Sequence, residues 1–344
     1  MKKVAVIGHY AYGLEYLDGQ TIKTKIITKE LEKQLGKKQV HRIDTYGGKK
    51  ALPKLFFKTL GALFKSKNIV IMPAHNGLKF FVPVLNLFNK IFRKKLYYIV
   101  IGGWLASYLE GKKGLERKLK KFNGIFVETS TMKRALDDKG FTNVYIMPNC
   151  KELNILSEDE LVYPKGEPYK LCTFSRVCKE KGIEDAVNAV IKANEHFGRT
   201  VYALDIYGQV DSNQTEWFEE LQKTFPEYVN YGGLVPFDKS VEVLKDYFAL
   251  LFPTYYEGEC FAGTIIDAYA SGILVVASDW KYNPEIIKDG VTGYLFETKN
   301  VEELKNLLVN LFNVQVIDMK KECLKQAKKF LPENVIKCFM EKLG

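Results

Sequence analysis

Two carboxylates, Glu259 and Asp267, stand eight positions apart around what reads as a helix start, in the stretch YYEGECFAGTIIDAYASGILVVASD (255–279). The loop is polar and broken by glycine, and the residues after Gly263 are apolar enough for a buried helix. Backbone N–H groups at a helix start attract anions. Acids on both sides of one therefore suit a ligand that carries phosphates and hydroxyls together. The N–H groups of Phe261, Ala262 and Gly263 would donate to that ligand, and Glu259 and Asp267 would accept from its different hydroxyl-bearing parts. Gly258 and Gly263 would let the backbone approach closely.

The cations lie upstream in FSRVCKEKG, where Arg176 ends an apolar run and Lys181 precedes a helical one. Two positive charges can balance a diphosphate without a metal ion. A nucleotide diphosphate sugar has the pieces these residues would bind. Each residue alone also has a plainer reading: Glu259 as a capping acid, Asp267 as a solvated helix residue, Arg176 and Lys181 as surface charges.

Positioning these residues requires strands that end beside a helix start. KKVAVIGHY reads as a buried first strand, and DGQTIKTKIITKELEKQLG as the next helix, capped by Asp18 or Gly19 and stopped at Gly36. Apolar runs at 68–74, 96–103, 124–130 and 144–149 alternate with helical patterns, as in a parallel sheet covered by helices. Residues 150–169 lack a sustained period and carry Pro164, Gly166 and Pro168, which marks a boundary. A second series comes next, with strands at 170–177, 202–208, 229–235, 248–254, 273–279 and 293–297. Its helices fall at about 182–196, 214–224, 239–246, 263–271 and 301–312. Two Rossmann-like α/β domains are expected, 1–160 and 161–330. A last helix is expected at 331–344. In such sheets ligands bind outside the carboxyl ends of the strands, where FSRVCKEKG, YGGLVP and the opening stretch should converge.

A chain of 344 residues with 47% hydrophobic content can build two cores. Residues 1–150 hold 29 Lys+Arg against 10 Asp+Glu, net +19, and the remainder holds 22 against 31, net −9. The basic half invites an acidic partner, anionic lipid ahead of nucleic acid, since no nucleic-acid motif accompanies the charge. The segments 51–67 and 113–122 mix Leu and Phe with Lys at near-helical spacing. They fit either an interfacial helix or a core-facing stripe with solvated lysines. The most apolar window, 78–92, is broken by Lys79, Pro83 and Lys90, so no spanning helix is expected. Six cysteines without CxxC spacing read as reduced thiols. No metal and no cofactor is expected. The expected location is cytoplasmic, peripheral on the inner face of the membrane.

SRVCKEKG, YGQ, the opening stretch and EIIKDGVTGYLFE stand in the order and spacing of retaining GT-B glycosyltransferases, and the chain resembles their family 4. The resemblance implies two Rossmann-like domains facing each other across a cleft, with the last helix, 331–344, crossing back to the first domain. It also implies hexosyl transfer from a nucleotide sugar, UDP-linked by family frequency, to a lipid-linked or polysaccharide acceptor. Glu259 matches the acid that contacts the transferred sugar, Asp267 the one that binds ribose hydroxyls, and Arg176 and Lys181 the cations on the phosphates. Gly19, in DGQT, falls where the family places a glycine-rich loop, and DGQT is similar to stretches in relatives that make capsular and other surface polysaccharides. Asp267 stands where a glutamate is usual, and VIGGWLAS, around Trp104, stands where many members carry a histidine. Two rival readings stay open: a non-catalytic partner subunit that keeps the fold, and a two-domain sugar-nucleotide epimerase. His9 reads as structural or cleft-facing, His75 as a turn residue or an acceptor contact, and Asn149 as shaping the chain where it leaves the first domain.

Overall fold

A computed structural model describes residues 1–13, 19–164 and 166–343. Asp18, one of the two expected caps of the first helix, lies outside the described residues. The chain divides into two compact units, Met1–Glu152 with Leu331–Gly344, and Leu153–Phe330. The division precedes the expected 160/161 boundary because Leu156 and Leu161 are buried in the second unit's core. The Leu156 N–H also donates to the Ala270 carbonyl at 3.1 Å.

The first unit runs β1 (Lys2–Gly8), α1 (Gly19–Leu35), β2 (Val40–Asp44), α2 (Leu52–Lys65), β3 (Ser66–Ile71), α3 (His75–Phe92) and β4 (Lys95–Ile99). It continues through α4 (Leu105–Tyr108), α5 (Lys113–Leu119), β5 (Gly124–Val127), α6 (Ser130–Asp137) and β6 (Val144–Ile146). Its six strands are all parallel, in the order β2-β1-β3-β4-β5-β6. Strand β2 was not foreseen from the sequence. It is an edge strand, VHRID, in which only Val40 and Ile43 are buried, so it shows no apolar run.

The second unit runs β7 (Tyr169–Phe174), α7 (Ile183–Phe197), β8 (Tyr202–Tyr207), α8 (Thr215–Gln222), β9 (Val229–Gly233), α9 (Ser240–Leu244) and β10 (Ala249–Phe252). Next come α10 (Gly263–Ala270), β11 (Leu274–Ser278), α11 (Asn283–Ile286), β12 (Gly293–Phe296), α12 (Val301–Leu311) and α13 (Ile317–Lys329). The last helices, α14 (Pro332–Val335) and α15 (Lys337–Leu343), belong to the first unit.

The second sheet is parallel, ordered β12-β11-β10-β7-β8-β9. Strands β10 and β11 are wholly buried, as the unbroken apolar runs ALLF and LVVA, the latter ending at Ser278, require of strands covered on both faces. One core cluster joins the sheet to α7 and α12, the other to α10 and α13. Each Leu, Ile or Val buried there contributes about 1.5–3 kcal/mol. From β7 the chain builds outward through β8 and β9, then returns to lay β10 on the other side. That reversal opens a crevice at the carboxyl ends of β7 and β10, the place where sheets of this order bind ligands.

Candidate donor site at the strand switch point

Both loops that leave the switch point carry chemistry, and one glycine brings them together. After β7, Arg176 follows a bend at Ser175, and Lys179–Lys181 form a single 3-10 turn closed by Gly182 in the left-handed region, φ 70°. A Cβ on Gly182 would stand 2.1 Å from the Pro253 carbonyl oxygen. Only glycine permits this approach, and it lays Lys181 across the end of β10. The Tyr255 N–H then donates to the Glu180 carbonyl at 2.8 Å, joining the loops through the backbone.

Lys181 meets Glu259 there: Nζ donates to Oε2 at 2.5 Å, with side chains only 11% and 8% exposed. Thr254 Oγ1 donates to the same oxygen at 2.9 Å. A pair this buried holds its geometry, since either charge left alone would be costly. The pair uses one of the three ammonium donors and leaves the others for a ligand. The Arg176 guanidinium lies 3.3 Å from Asp211 Oδ2, and its side chain is 45% exposed, so this contact is weak and exchangeable. Both cations stand over the Tyr256 ring, Arg176 at 5.1 Å and Lys181 at 5.2 Å. That ring is fixed because Gly258 makes room for it, a Cβ there lying 2.5 Å from the ring. Trp280 Nε1 also donates to the Tyr256 carbonyl at 2.9 Å.

The charge count at the site therefore differs from the expected one. Arg176 and Lys181 are not two unbalanced positive charges, because each already faces a carboxylate. A diphosphate would have to displace Asp211 from Arg176 and share Lys181 with Glu259.

Helix α10 starts beside these loops. No side chain caps it at Ala262, and Thr264 Oγ1 donates to the Phe174 carbonyl at 2.6 Å, fastening its first turn to the end of β7. Phe261 and Ala262 are buried, with the Phe261 ring edge-on to Phe330 at 5.0 Å, so they anchor the turn through the core. Asp267 points elsewhere. It is 2% exposed, and its Oδ1 accepts from Ser240 Oγ, the first residue of α9, at 3.0 Å. The structure thus brings Arg176, Lys181, Glu259 and the α10 start together, and sets Asp267 beneath α9. Thr254, Tyr256, Asp211 and Ser240 were not singled out from sequence. Thr254 directly precedes the opening stretch and Tyr256 lies inside it, but no local pattern links Asp211 to Arg176 or Ser240 to Asp267.

In the first unit, Gly19 is the first residue of α1, with open space where a Cβ would stand. His9 Nδ1 lies 2.7 Å from Thr21 Oγ1, tying β1 to α1. Trp104 donates from Nε1 to the Ile101 carbonyl at 2.8 Å and packs on His75, ring centres 3.9 Å apart. Asn149 Oδ1 accepts from the Cys150 N–H at 3.0 Å, a local turn contact.

Residues 168–313 match the family model described as glycosyl transferases group 1. The second unit therefore carries a group 1 glycosyl transferase domain, and the two parallel-sheet units have the GT-B fold. An uncharacterized glycosyltransferase of Methanocaldococcus jannaschii is 24% identical over 214 residues, 60% of this chain and 52% of that protein. The GtfA subunit of a UDP-N-acetylglucosamine–peptide N-acetylglucosaminyltransferase from Streptococcus agalactiae is 28% identical over 231 residues, 62% of this chain and 43% of that one. The chain spans about half the length of these relatives. Among solved structures, Anabaena HepE in complex with UDP aligns over 100% of this chain and 99% of its own, with TM-score 0.74 and 15% identity. The pneumococcal O-GlcNAc transferase GtfA, in complex with UDP and GlcNAc, covers 87% of this chain and 60% of its own, with TM-score 0.64 and 19% identity. These structural likenesses are of fold.

Proposed function

We propose that the protein transfers a hexosyl group from a nucleotide diphosphate sugar to a lipid-linked or saccharide acceptor, with retention of anomeric configuration, in surface or capsular polysaccharide synthesis. The observation that carries this is the meeting of Arg176, Lys181 and Glu259 around Tyr256 at the strand switch point, beside the uncapped start of α10. UDP is the favoured carrier, because the names of several similar proteins include it.

In this reading Arg176, Lys181 and the first N–H groups of α10 hold the diphosphate. As the glycosidic bond breaks, negative charge grows on the leaving phosphate oxygen, and fixed donors there stabilise it without reorganising. That oxygen takes the acceptor hydroxyl's proton, so no side-chain base is required. Glu259, held by Lys181 and Thr254, orients the transferred sugar. Asp267, whose Oδ1 accepts from Ser240, accepts a ribose hydroxyl beside or in place of that bond. The first unit, with Gly19 at the start of α1, takes the acceptor. Arg176 released from Asp211, Lys181 shared with Glu259 and the α10 start hold the diphosphate in this reading without a metal ion, so binding should be the same in EDTA as in added magnesium.

The test is calorimetric titration with UDP, GDP, ADP and dTDP, on the protein and on Arg176→Ala and Glu259→Ala. Selective binding of one diphosphate, weakened about tenfold or more in Arg176→Ala as for a lost charge-assisted hydrogen bond, is expected. Proton NMR of the product formed from the matching sugar nucleotide then reads the anomeric outcome. Failure of all four to bind would put the non-catalytic partner subunit in place of this reading. Conversion of the sugar nucleotide without acceptor would put the epimerase there.

A further inference from the structure

Residues 45–109 contain 11 Lys and Arg and no Asp or Glu. All of α2 and α3 lies in this stretch, and each helix carries apolar side chains on two sides. The inner side is core: Leu55, Ala62 and Leu63 from α2, and Phe81, Val82 and Leu85 from α3. The outer side is not covered. Phe57 and Phe64 of α2 are each 71% exposed, and Leu87 and Ile91 of α3 are 60% and 76% exposed. Phe57 and Phe64 are two helical turns apart and Leu87 and Ile91 one turn, so each pair projects from one side of its helix. The Phe56 ring packs edge-on against Phe88 at 5.7 Å, joining the two helices. Exposed Lys54, Lys58, Lys65 and Lys90 stand next to these apolar side chains or one turn from them along the two helices.

We propose that this outer face of α2 and α3 seats the protein on an anionic bilayer surface, with the four apolar side chains among the acyl chains and the lysines at the headgroups. Exposed Phe and Leu flanked by Lys, on helices lying in the interface plane, is the pattern such surfaces bind. Lysine stems can cover apolar surface while their ammonium groups reach outward. No described helix is long and apolar enough to cross a membrane, so the seat is superficial. Charge argues against a second copy as the occupant, because two faces of this composition would repel. Exposed Leu87 and Ile91 gain nothing on a phosphate backbone, which argues against nucleic acid. The α5 region, the other segment in which Leu and Phe alternate with Lys, does not share the feature: Leu119 and Phe122 are buried, and its exposed side chains are charged.

The proposal stands apart from the donor-site reading and is tested apart from it. The full chain is sedimented with vesicles of phosphatidylcholine alone and of phosphatidylcholine mixed with phosphatidylglycerol. Binding only to the anionic vesicles is expected. Lys54→Gln with Lys58→Gln should weaken it about tenfold or more, since each lysine near the surface contributes about fivefold. Phe57→Ser with Phe64→Ser should weaken it at least about tenfold, the partitioning of two aromatic side chains. Lys113→Gln with Lys121→Gln, in the α5 region, should change it less than about threefold. All these positions are exposed, and unchanged thermal melts would show intact folds. Absence of binding, or full binding by the phenylalanine pair variant, overturns the proposal. Self-association without lipid that the phenylalanine substitutions abolish would also overturn it and make a second copy the occupant. A UDP titration of the same variants reads the donor site independently.

Discussion

Arg176 and Lys181 reach one tyrosine ring but are restrained differently, and the difference predicts how each answers mutation. Asp211 competes with a phosphate for an exposed guanidinium, so Asp211→Asn should tighten diphosphate binding by about two- to fivefold, as expected for loss of a surface ion pair. Calorimetry reads this directly, and weaker binding would mean that Asp211 instead orients Arg176 for the ligand. Gly182 has φ 70° and sits against Pro253. Gly182→Ala should cost more than about 2 kcal/mol in urea unfolding, from strain and overpacking together. It should also weaken nucleotide binding by moving Lys181, whereas an unchanged midpoint would show that the two loops can separate freely. Gly182 and Gly258 both stand in the motifs that carry the site residues. Their reasons, a carbonyl at 2.1 Å for Gly182 and a ring at 2.5 Å for Gly258, were not visible there.

Helix α13 leaves no clear signal in the sequence, and its packing explains why. Its buried side includes Met319, Cys323, Leu324 and Ala327, but also Lys320 and Gln326, so the apolar period is interrupted. Lys320 is fully buried, and its Nζ donates to the Gly272 carbonyl, just past the end of α10, at 3.2 Å. Burial pushes its pKa down to about 8, against about 10.4 in an unfolded chain. Below pH 8 the charged amine is buried at a cost. Between pH 8 and 10.4 the unfolded chain binds more protons, so this group's contribution to stability rises with pH. Lys320→Met should therefore melt higher than the parent near pH 7, by about 2–3 kcal/mol less the lost hydrogen bond. The difference should shrink or reverse by pH 10, and one that stays constant with pH would show that Lys320 does not titrate in this range. Helices α7, α8, α9, α10 and α12 were placed within about two residues by their period, whereas the four-residue α11 is too short to show one.

At the scale of the whole molecule the chain's end is part of its beginning. Phe339 in α15 lies edge-on to Tyr97 at 5.4 Å and Phe126 at 5.1 Å, and the Tyr97 hydroxyl donates to the Lys342 carbonyl. Phe339→Ala should destabilise the first unit by about 3–5 kcal/mol, as for a large core deletion. Hydrogen exchange should show lost protection in β1, β4 and β5 and little change in β7, β8 and β10. Equal loss in both sheets would mean that the units unfold as one. The sequence by itself determined that the chain is a parallel α/β protein with two sheets, because buried strands and amphipathic helices leave local periodic signals. It also determined that Arg176, Lys181, Glu259 and the 263 helix start belong together. Only the tertiary structure decided that Arg176 and Lys181 are already paired with carboxylates, that Asp267 turns under Ser240, and that α2 and α3 leave an apolar face uncovered. Each of these depends on contacts between segments tens of residues apart, and no local pattern records them.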